Sequence, residues 1–390
     1  MLYRTLGKTG EEVSVLGYGC MRLPTAGGDY GKVDEKEAMK LVRYAADNGV
    51  NYIDTSWPYH SLDPLKEGTS EPFVGKAVRE IGRDKMFIAT KLPIWAVNSR
   101  EDMDKFINAQ LKSLQTDYID FYLVHNIMEL TWYNMVRVGL ADFLDEIKKS
   151  GKVRHIGFSF HDTPALLEKV LGYYDFEFHQ NIVNYRDTNF QAGMPGVRKS
   201  RRLGLGIIGM EPVMGGFLAN YLPKEAIEVL DATGIKRSPT AWALRWAWDQ
   251  PEVDILLSGM SDMAQVEENL RLSDEANSPL SARELEAIDK VVAILKKKDE
   301  IPCTECHQCH CLHGVFISCC FSMYNSSKEF DLDKIPISEH RYGLVLKNTP
   351  QEASHCDDCG ECSWQCPQGI DIPTQLRKVA RYFADTRVGW

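Results

Sequence analysis

Short runs of β-branched and aromatic residues alternate with longer amphipathic segments over the first 290 residues of the chain. The short runs have the length and composition of buried strands. We predict eight of them, at residues 13–19, 51–56, 86–92, 118–125, 155–160, 176–184, 206–213 and 254–259. The longer segments have helical periodicity, as at residues 34–48 and 134–149. A glycine just past each of these two, Gly49 and Gly151, is typical of a helix end.

The regular alternation of strand and helix predicts parallel strands joined by crossover helices. Eight such repeats in under 300 residues indicate a (β/α)8 barrel, the TIM-barrel fold of the α/β class. Ahead of the first barrel strand, residues 3–13 contain Gly7 and the pair Thr9-Gly10. We therefore expect a β-hairpin there, closing the base of the barrel.

The composition changes after a predicted helix at residues 282–297. A charged stretch from Lys296 to Glu300 leads into Pro302, and beyond it cysteine and proline are frequent and long apolar periods are few. A chain of 390 residues also exceeds the size at which a single hydrophobic core stops growing. We predict a barrel domain at residues 1–297 and a small α-rich domain at residues 298–390, ending in an amphipathic helix at residues 373–385.

Charge and hydropathy narrow the classes of function. The formal net charge of −10 gives no support for a basic face that would bind nucleic acid. The first ten residues contain no apolar signal segment, and no apolar run is long enough to cross a bilayer. We predict a cytoplasmic protein of a low-oxygen cell, without nucleic-acid or membrane partners. Crowded cysteines in that setting are metal ligands rather than disulfides.

Four polar residues are predicted to meet at the mouth of the barrel. Asp54 ends the second strand, Lys91 the third and His125 the fourth, and Tyr59 follows Asp54 by five residues. Barrel enzymes place their reactive groups at this end of the strands. A tyrosine loses its proton only near pH 10, and an ammonium held beside it by a carboxylate makes proton donation easier. This combination is typical of a carbonyl reductase.

Several stretches resemble the aldo-keto reductase family, in chain order over roughly residues 1–290. They are Asn51-Tyr-Ile-Asp-Thr55 with Tyr59, Ala89-Thr-Lys91, Asp117 to His125, Gly151 to Ser159, Gln180, Met210 to Gly216, and Gly259 with Gln265, Glu268 and Asn269. The resemblance implies that an aldehyde or ketone is reduced, or the alcohol oxidised, with a nicotinamide cofactor. It implies Tyr59 as the general acid, Lys91 and Asp54 as the pair that tunes it, and His125 as the residue that orients the substrate.

The same resemblance implies a cofactor lying across the barrel mouth, with Ser159 and Gln180 at its carboxamide. The further cofactor contacts assigned on this basis are Met210, Gly259, Met260, Gln265, Glu268 and Asn269. Most family members have an aromatic ring where this chain has Met210. The segment from Gly259 to Asn269 also contains no Lys or Arg that could pair with a 2′-phosphate. NADPH is usual in the family, and the sequence leaves both NADP and NAD open.

Ten of the eleven cysteines lie between Cys303 and Cys366. The last four, Cys356, Cys359, Cys362 and Cys366, are followed by Pro367 and have the spacing with which bacterial ferredoxins hold iron–sulfur clusters. An earlier run, Cys303, Cys306, Cys309 and Cys311, is shortened between its last two cysteines and lacks the proline. The chain is therefore predicted to carry a ferredoxin-like iron–sulfur domain after the barrel.

In two-cluster ferredoxins the fourth cysteine of each run ligates the other cluster. Carried over to this chain, one 4Fe–4S cluster uses Cys303, Cys306, Cys309 and Cys366, and the other uses Cys356, Cys359, Cys362 and Cys311. We predict two clusters, but the short spacer before Cys311 leaves two alternatives open. Cys319 or Cys320 could replace Cys311, or one cluster could be lost. A structural zinc site with four cysteines is a further alternative, although zinc rarely uses this spacing.

Three functions are consistent with these observations. The first is a nicotinamide-dependent carbonyl reductase whose clusters carry electrons, exchanged with a redox partner protein, or sense redox state. The second is a ferredoxin-linked reductase in which the clusters supply the electrons and nicotinamide is absent or secondary. A flavin is an optional intermediary there, because clusters pass one electron at a time and nicotinamide moves a hydride. The third is a non-catalytic iron–sulfur assembly or electron-transfer module. We favour the first, because the barrel motifs are complete without the cysteine-rich segment.

Overall fold

The structure is a computed structural model that describes residues 1–330 and 336–386 of the chain. It divides into two compact units. The first comprises Met1–Val183, Gly196–Pro212 and Ala247–Pro279, and the second comprises Asn184–Pro195, Val213–Trp246 and the chain from Leu280 onward. The cysteine-rich segment thus shares its unit with residues predicted to belong to the barrel domain. The boundary after residue 297 remains a prediction.

The first unit contains a closed barrel of eight parallel strands, as the alternating pattern predicted. Counting β1 (Tyr3–Thr5) and β2 (Glu12–Ser14) ahead of it, the barrel strands are β3 (Leu16–Gly19), β4 (Tyr52–Asp54), β5 (Phe87–Leu92), β6 (Ile119–Ile127), β7 (Val153–Phe160), β8 (Phe178–Ile182), β9 (Gly206–Met210) and β10 (Ile255–Ser258). Each strand pairs with its neighbours in chain order, and β10 closes the ring on β3. All eight predicted strands are confirmed to within a few residues.

The predicted N-terminal hairpin is also present and contributes to the barrel core. β1 and β2 pair antiparallel, so the first predicted strand loses its first residues to this hairpin. Leu6 and Val13 are fully buried in one cluster with side chains from the barrel strands. The other members of that cluster are Tyr52, Ala89, Phe121, Leu123, Phe178, Ile208, Ile255 and Leu257.

The helices alternate with the strands along the chain. They are α1 (Glu35–Asp47), α2 (Ser70–Ile81), α3 (Arg100–Ser113), α4 (Glu129–Arg137), α5 (Leu140–Lys149), α6 (Pro164–Tyr173), α7 (Gly193–Arg202), α8 (Phe217–Asn220), α9 (Lys224–Asp231), α10 (Pro239–Trp248), α11 (Met263–Ser273) and α12 (Ala282–Lys296). The single helix predicted at residues 134–149 is wrong. Gly139 has a φ of 82°, a left-handed conformation that interrupts the helix and begins α5 as its N-cap.

The second unit gathers α8, α9, α12 and most of α10 with three helices from the cysteine-rich segment. Those three are α13 (Ile317–Glu329), α14 (Pro336–Val345) and α15 (Ile372–Tyr382), of which α15 confirms the helix predicted at residues 373–385. α12 packs on α9, and α13 packs on both α14 and α15. Phe383 stacks on Tyr342 with ring centroids 4.0 Å apart. Parts of the predicted cysteine domain, residues 331–335 and 387–390, lie outside the described residues.

Among residues 1–330 and 336–386, no helix is both long enough and apolar enough to span a membrane.

Candidate functional site

The four residues predicted at the barrel mouth lie together in the first unit. Lys91 on β5 is completely buried, and its Nζ donates to Asp54 Oδ1 at 2.7 Å and to the Thr55 carbonyl oxygen at 2.7 Å. The same ammonium lies 4.8 Å from the centroid of the Tyr59 ring. The Tyr59 and His125 rings are edge to face with centroids 6.1 Å apart. The structure thus brings a tyrosine, an ion pair and a histidine together in one buried cluster.

Burial sets the protonation of this cluster. It raises the pKa of Tyr59 well above 10, and the charge of Asp54 adds to the rise. This direction is opposite to the lowering expected from Lys91, so Tyr59 keeps its proton at neutral pH. Burial, reinforced by Lys91, lowers the pKa of His125 well below 6.5, so the imidazole is neutral. Burial also lowers the pKa of Lys91, and the adjacent Asp54 carboxylate opposes that change.

A bulge in β6 sets the orientation of the His125 side chain. The regular pairing of β6 with β7 is interrupted between Val124 and Ile127, and Asn126 adopts a left-handed φ of 57°. The Asn126 N–H then donates to the Ser159 hydroxyl at 2.8 Å. On the other side, the Ser56 hydroxyl lies 3.0 Å from His125 Nδ1. Bulges beside active sites commonly redirect a side chain in this way.

Ser56 was not identified from the sequence, although it follows Asp54 by only two residues. If its hydroxyl donates to Nδ1, the proton of the neutral imidazole sits on Nε2. In that arrangement the Nε2 nitrogen is the donor of the ring. The signal that could have found it is a small polar residue in the turn directly after the strand that carries Asp54.

A second buried network of polar side chains forms hydrogen bonds to the backbone of β5 at Lys91. Gln110 Nε2 on α3 donates to Glu71 at 2.8 Å and to the Lys91 carbonyl oxygen at 2.9 Å, while Tyr122 donates to Gln110 Oε1 at 2.8 Å. Burial raises the pKa of Glu71 to about 7, opposed by hydrogen bonds from Thr90 and Gln110. The stability that the protonated carboxyl contributes is present below pH 4.5 and is lost as the pH rises through about 7.

The loop after Tyr59 is clamped at both ends. The Gly68 N–H donates to the Trp57 carbonyl oxygen at 2.8 Å, and the Ser70 N–H donates to that of Tyr59 at 3.3 Å. A Cβ at Gly68 would lie 1.9 Å from the Tyr59 carbonyl oxygen, so only glycine fits there. His60, buried with a φ of 62°, accepts from the Leu23 N–H at 3.2 Å. The residues between these clamps include the exposed side chains of Leu62 and Leu65.

The predicted cofactor residues line the ends of later strands. Ser159 and Gln180 occupy paired positions on β7 and β8, and Gln180 Nε2 contacts the Met210 sulfur at 3.7 Å. Gln180 Oε1 is buried and has no hydrogen-bond partner among the described residues. Gly259 and Met260 directly follow β10, and the Met260 carbonyl oxygen accepts from the Tyr18 hydroxyl at 2.7 Å. Met210 ends β9 and is half-buried.

The remaining three predicted cofactor residues lie on α11. Asn269 Nδ2 donates to the Ser258 hydroxyl at 3.0 Å, and Gln265 Oε1 accepts from the Ser261 N–H at 3.0 Å. Glu268 is half-buried one turn further along the helix. The basic residue Arg22 also lies near these positions, although it was not predicted from the sequence. The stem of Arg22 packs along Gly259, where an added Cβ would meet Arg22 Cβ at 3.1 Å.

The two cysteine runs of the second unit have the same backbone pattern. In each run the residue before the second cysteine and the residue after it have left-handed φ values. In the first run they are Glu305 at 54° and His307 at 56°, and in the second they are Asp358 at 64° and Gly360 at 76°. The two runs therefore share one backbone turn around the second cysteine, despite the shortened spacer in the first.

The structure brings each run together with the fourth cysteine of the other. Cys303, Cys306, Cys309 and Cys366 line one pocket with Ile317 and Phe321. Burial, then the charges of Cys366 and Cys306, raises the pKa of Cys309 to about 11. Burial, then the charge of Cys311, raises the pKa of Cys362 to about 11, and Cys311 contributes likewise to the raised pKa of Cys356. The swapped ligand sets themselves stay a prediction.

Cys319 and Cys320 are buried on α13, and neither lines that pocket. The Cys320 thiol lies 3.6 Å from the Gln351 carbonyl oxygen. Cys359, by contrast, is exposed, and its sulfur lies within 4.8 Å of ligand atoms of His313 and Asp357. Cys362 of the same run is buried, whereas Trp364 beside it is 91% exposed.

The chain is similar to known reductases over its barrel. The sequence profile described as the aldo/keto reductase family matches residues 15–293. Aldo-keto reductase YhdN of Bacillus subtilis is 30% identical over 302 residues, which are 68% of this chain and 87% of that protein. L-galactose dehydrogenase of Arabidopsis thaliana is 28% identical over 322 residues, 75% of this chain and 94% of the relative. The solved structure of a Klebsiella pneumoniae aldo-keto reductase in complex with NADPH has a TM-score of 0.60 at 21% identity, covering 75% of this chain and 96% of that one.

Proposed function

The chain belongs to the aldo/keto reductase family of oxidoreductases, and from this premise we propose that it reduces an aldehyde or ketone with NADPH or NADH at the mouth of its barrel. The observation that carries the proposal is the buried cluster of Tyr59, Lys91, Asp54 and His125. Its members come from three strands and the loop after β4, and they meet with the protonation states that proton donation to a carbonyl requires.

The nicotinamide cofactor would supply the hydride. Ser159 and the orphaned Oε1 of Gln180 suit its carboxamide, which offers both a donor and an acceptor. Met210 can cover a ring face through its polarizable sulfur. Gly259, Met260, Gln265, Glu268 and Asn269 would hold the nucleotide end, where Arg22 supplies a positive charge for a phosphate. The NADPH complex of the Klebsiella relative supports this assignment of the cofactor.

The side chains of the buried cluster then orient the substrate and transfer a proton to its oxygen. Neutral His125, with Nδ1 engaged by Ser56, donates from Nε2 to the substrate oxygen and orients it. Tyr59 gives its proton to that oxygen as negative charge develops there. The resulting phenolate is stabilised by the Lys91 ammonium, which Asp54 and the Thr55 carbonyl hold in place. Water is excluded because all four side chains are buried.

We expect the purified protein to oxidise NADPH or NADH when it is given small aldehydes and ketones. The measurement is nicotinamide absorbance under anaerobic conditions, with a panel of aromatic, aliphatic and sugar carbonyls. A nicotinamide that binds tightly but is oxidised with no carbonyl in the panel would contradict the proposed activity. A low-potential one-electron donor that replaces the nicotinamide would instead favour the cluster-fed alternative.

We also propose that the second unit holds two 4Fe–4S clusters, ligated by the two sets of four cysteines. Tetrahedral zinc, with Zn–S bonds of about 2.3 Å, would place its four sulfurs about 3.8 Å apart. Among the described residues, no three cysteine sulfurs lie within 4.8 Å of one another, so the wider spacing of a cluster fits better. Such clusters are typically ligated by thiolates that turns of the CxxCxxC type hold close together.

The clusters should be visible in the composition of the protein. Purified anaerobically, the chain is expected to be brown and to contain about eight iron and eight sulfide per chain. Cys306→Ser, in the first set, should lower both to about four, whereas Cys319→Ala should leave them unchanged. Iron and sulfide assays with electron paramagnetic resonance of the reduced protein make the measurement. Zinc in place of iron, or loss of iron from Cys319→Ala, would contradict the ligand assignment.

A further inference from the structure

Two residues of the first cysteine run adopt a backbone conformation that residues with a Cβ disfavour. Glu305 and His307 have left-handed φ values, which glycine adopts easily and residues with a Cβ do not. The second run has glycine at one of the two equivalent places, Gly360. The first run carries a long polar side chain at both places.

Both side chains are held by the segment Asn184–Pro195, which belongs to the same compact unit. Arg186 of this segment is 1% exposed at its side chain, and its guanidinium lies 3.5 Å from Glu305 Oε1. His307 Nε2 lies 3.2 Å from the Asn189 carbonyl oxygen, as donor to acceptor, and its Nδ1 lies 3.1 Å from the Ser318 hydroxyl. The segment therefore contacts the chelating loop on either side of Cys306.

Arg186 is itself fixed by a buried network. Its Nε donates to both carboxylate oxygens of Glu329 at 3.0 Å, and Nη1 donates to Asp187 at 3.0 Å and to the Ser322 hydroxyl at 3.1 Å. Arg341 adds a contact to Asp187 at 3.3 Å. A guanidinium bound on so many sides cannot swing away, so Glu305 is tied to a rigid point.

We propose that Arg186, with Glu305 and His307, is a positioning device for the first four-cysteine set, so that the segment following β8 forms part of an iron–sulfur site. The inference rests on the clusters proposed above. Residues behind metal ligands typically change metal affinity 10- to 100-fold when they are replaced, because they orient the ligands. Arg186 touches no cysteine and acts through the loop that carries Cys303, Cys306 and Cys309.

The second run offers a matched control. Asp358 occupies the place of Glu305, and it too pairs with an arginine, Arg377. Both partners of that pair are about half exposed, at 46% and 49% of their side chains. An exposed pair of this kind is worth little, so its loss should hardly affect the second cluster.

The test compares Arg186→Met with Arg377→Met in the full-length protein loaded with clusters. Iron release to bathophenanthroline disulfonate is followed anaerobically, and the number of clusters left is counted by electron paramagnetic resonance. We expect Arg186→Met to lose one of two clusters about tenfold faster than the unmodified protein. Arg377→Met should release iron at the unmodified rate. Equal release from the two variants would overturn the inference.

His307→Gly keeps the test decisive should Arg186→Met fail to fold. Glycine relaxes the left-handed backbone, so this variant removes the anchor without straining the turn. Faster loss of one cluster, with an unchanged circular-dichroism spectrum of the loaded protein, supports a positioning role. Unchanged cluster loss refutes it. An unmodified protein without iron and sulfide would instead overturn the cluster proposal, and the two failures are therefore distinguishable.

Discussion

Tyr59→Phe is expected to lower kcat/KM for carbonyl reduction by about 10² to 10⁴-fold, the range that a positioned general acid contributes. The variant removes one hydroxyl from a buried ring and leaves the Lys91–Asp54 pair intact. Cofactor binding should be retained, because none of the proposed nicotinamide contacts involves Tyr59. Initial rates with a carbonyl substrate, together with NADPH binding followed by protein fluorescence, make the measurement.

Tyr52→Phe is the matched control for that variant. Tyr52 lies on β4 close to Asp54, and its hydroxyl is buried with no hydrogen-bond partner among the described residues. Its removal should leave kcat/KM within about twofold, since no proton passes through it. If Tyr59→Phe kept most of the activity, the proton would have to come from another group, and the proposed mechanism would fail.

Lys91→Met should destabilise the protein by about 3–5 kcal/mol, since it leaves the buried Asp54 carboxylate without its cation. Burial already raises the pKa of Asp54, and Lys91 is the group that opposes the rise. In the variant the folded-state pKa therefore lies further above the unfolded value. The stability deficit should shrink at acidic pH, where the carboxyl is protonated, and grow as the pH rises through the raised pKa.

Urea unfolding at pH 5 and pH 8 measures that pH dependence, with Lys76→Met as the control. Lys76 pairs with Glu35 at 2.7 Å but is exposed, so its loss should cost only about 0–1 kcal/mol at either pH. The double variant Asp54→Asn/Lys91→Met buries no charge and should recover part of the stability. A deficit in Lys91→Met that is the same at both pH values would show that the ion pair is not its cause.

The barrel and most of its active cluster could be predicted because they follow from local patterns. Parallel strands bring their carboxyl ends to one rim, so residues such as Asp54 and Lys91 that end strands must meet. The orientation of His125 could not be predicted in this way. It depends on a bulge in β6 and on the left-handed Asn126, and no spacing in the sequence marks either feature.

The cysteine sets were predicted from spacing alone, because the separations between ligands carry the geometry of the loop. The contribution of Arg186 was not predicted. A buried arginine more than 100 residues before its partner Glu305 gives no periodic signal, and its environment exists only after the chain has folded. The pKa of Tyr59 was missed for a related reason, since burial outweighs the charge of a neighbour only where tertiary packing removes water.

The clamp between Tyr59 and Gly68 makes the intervening residues an exchangeable module. Because both ends of the loop are fastened to each other by backbone hydrogen bonds, its length and composition can vary without displacing the tyrosine. Recombination between lineages can thus replace residues 62–67 as a unit, changing which molecules reach the barrel while the buried His60 and Ser61 keep Tyr59 in register. Gly68 must then stay glycine while the loop, and with it the range of substrates, varies.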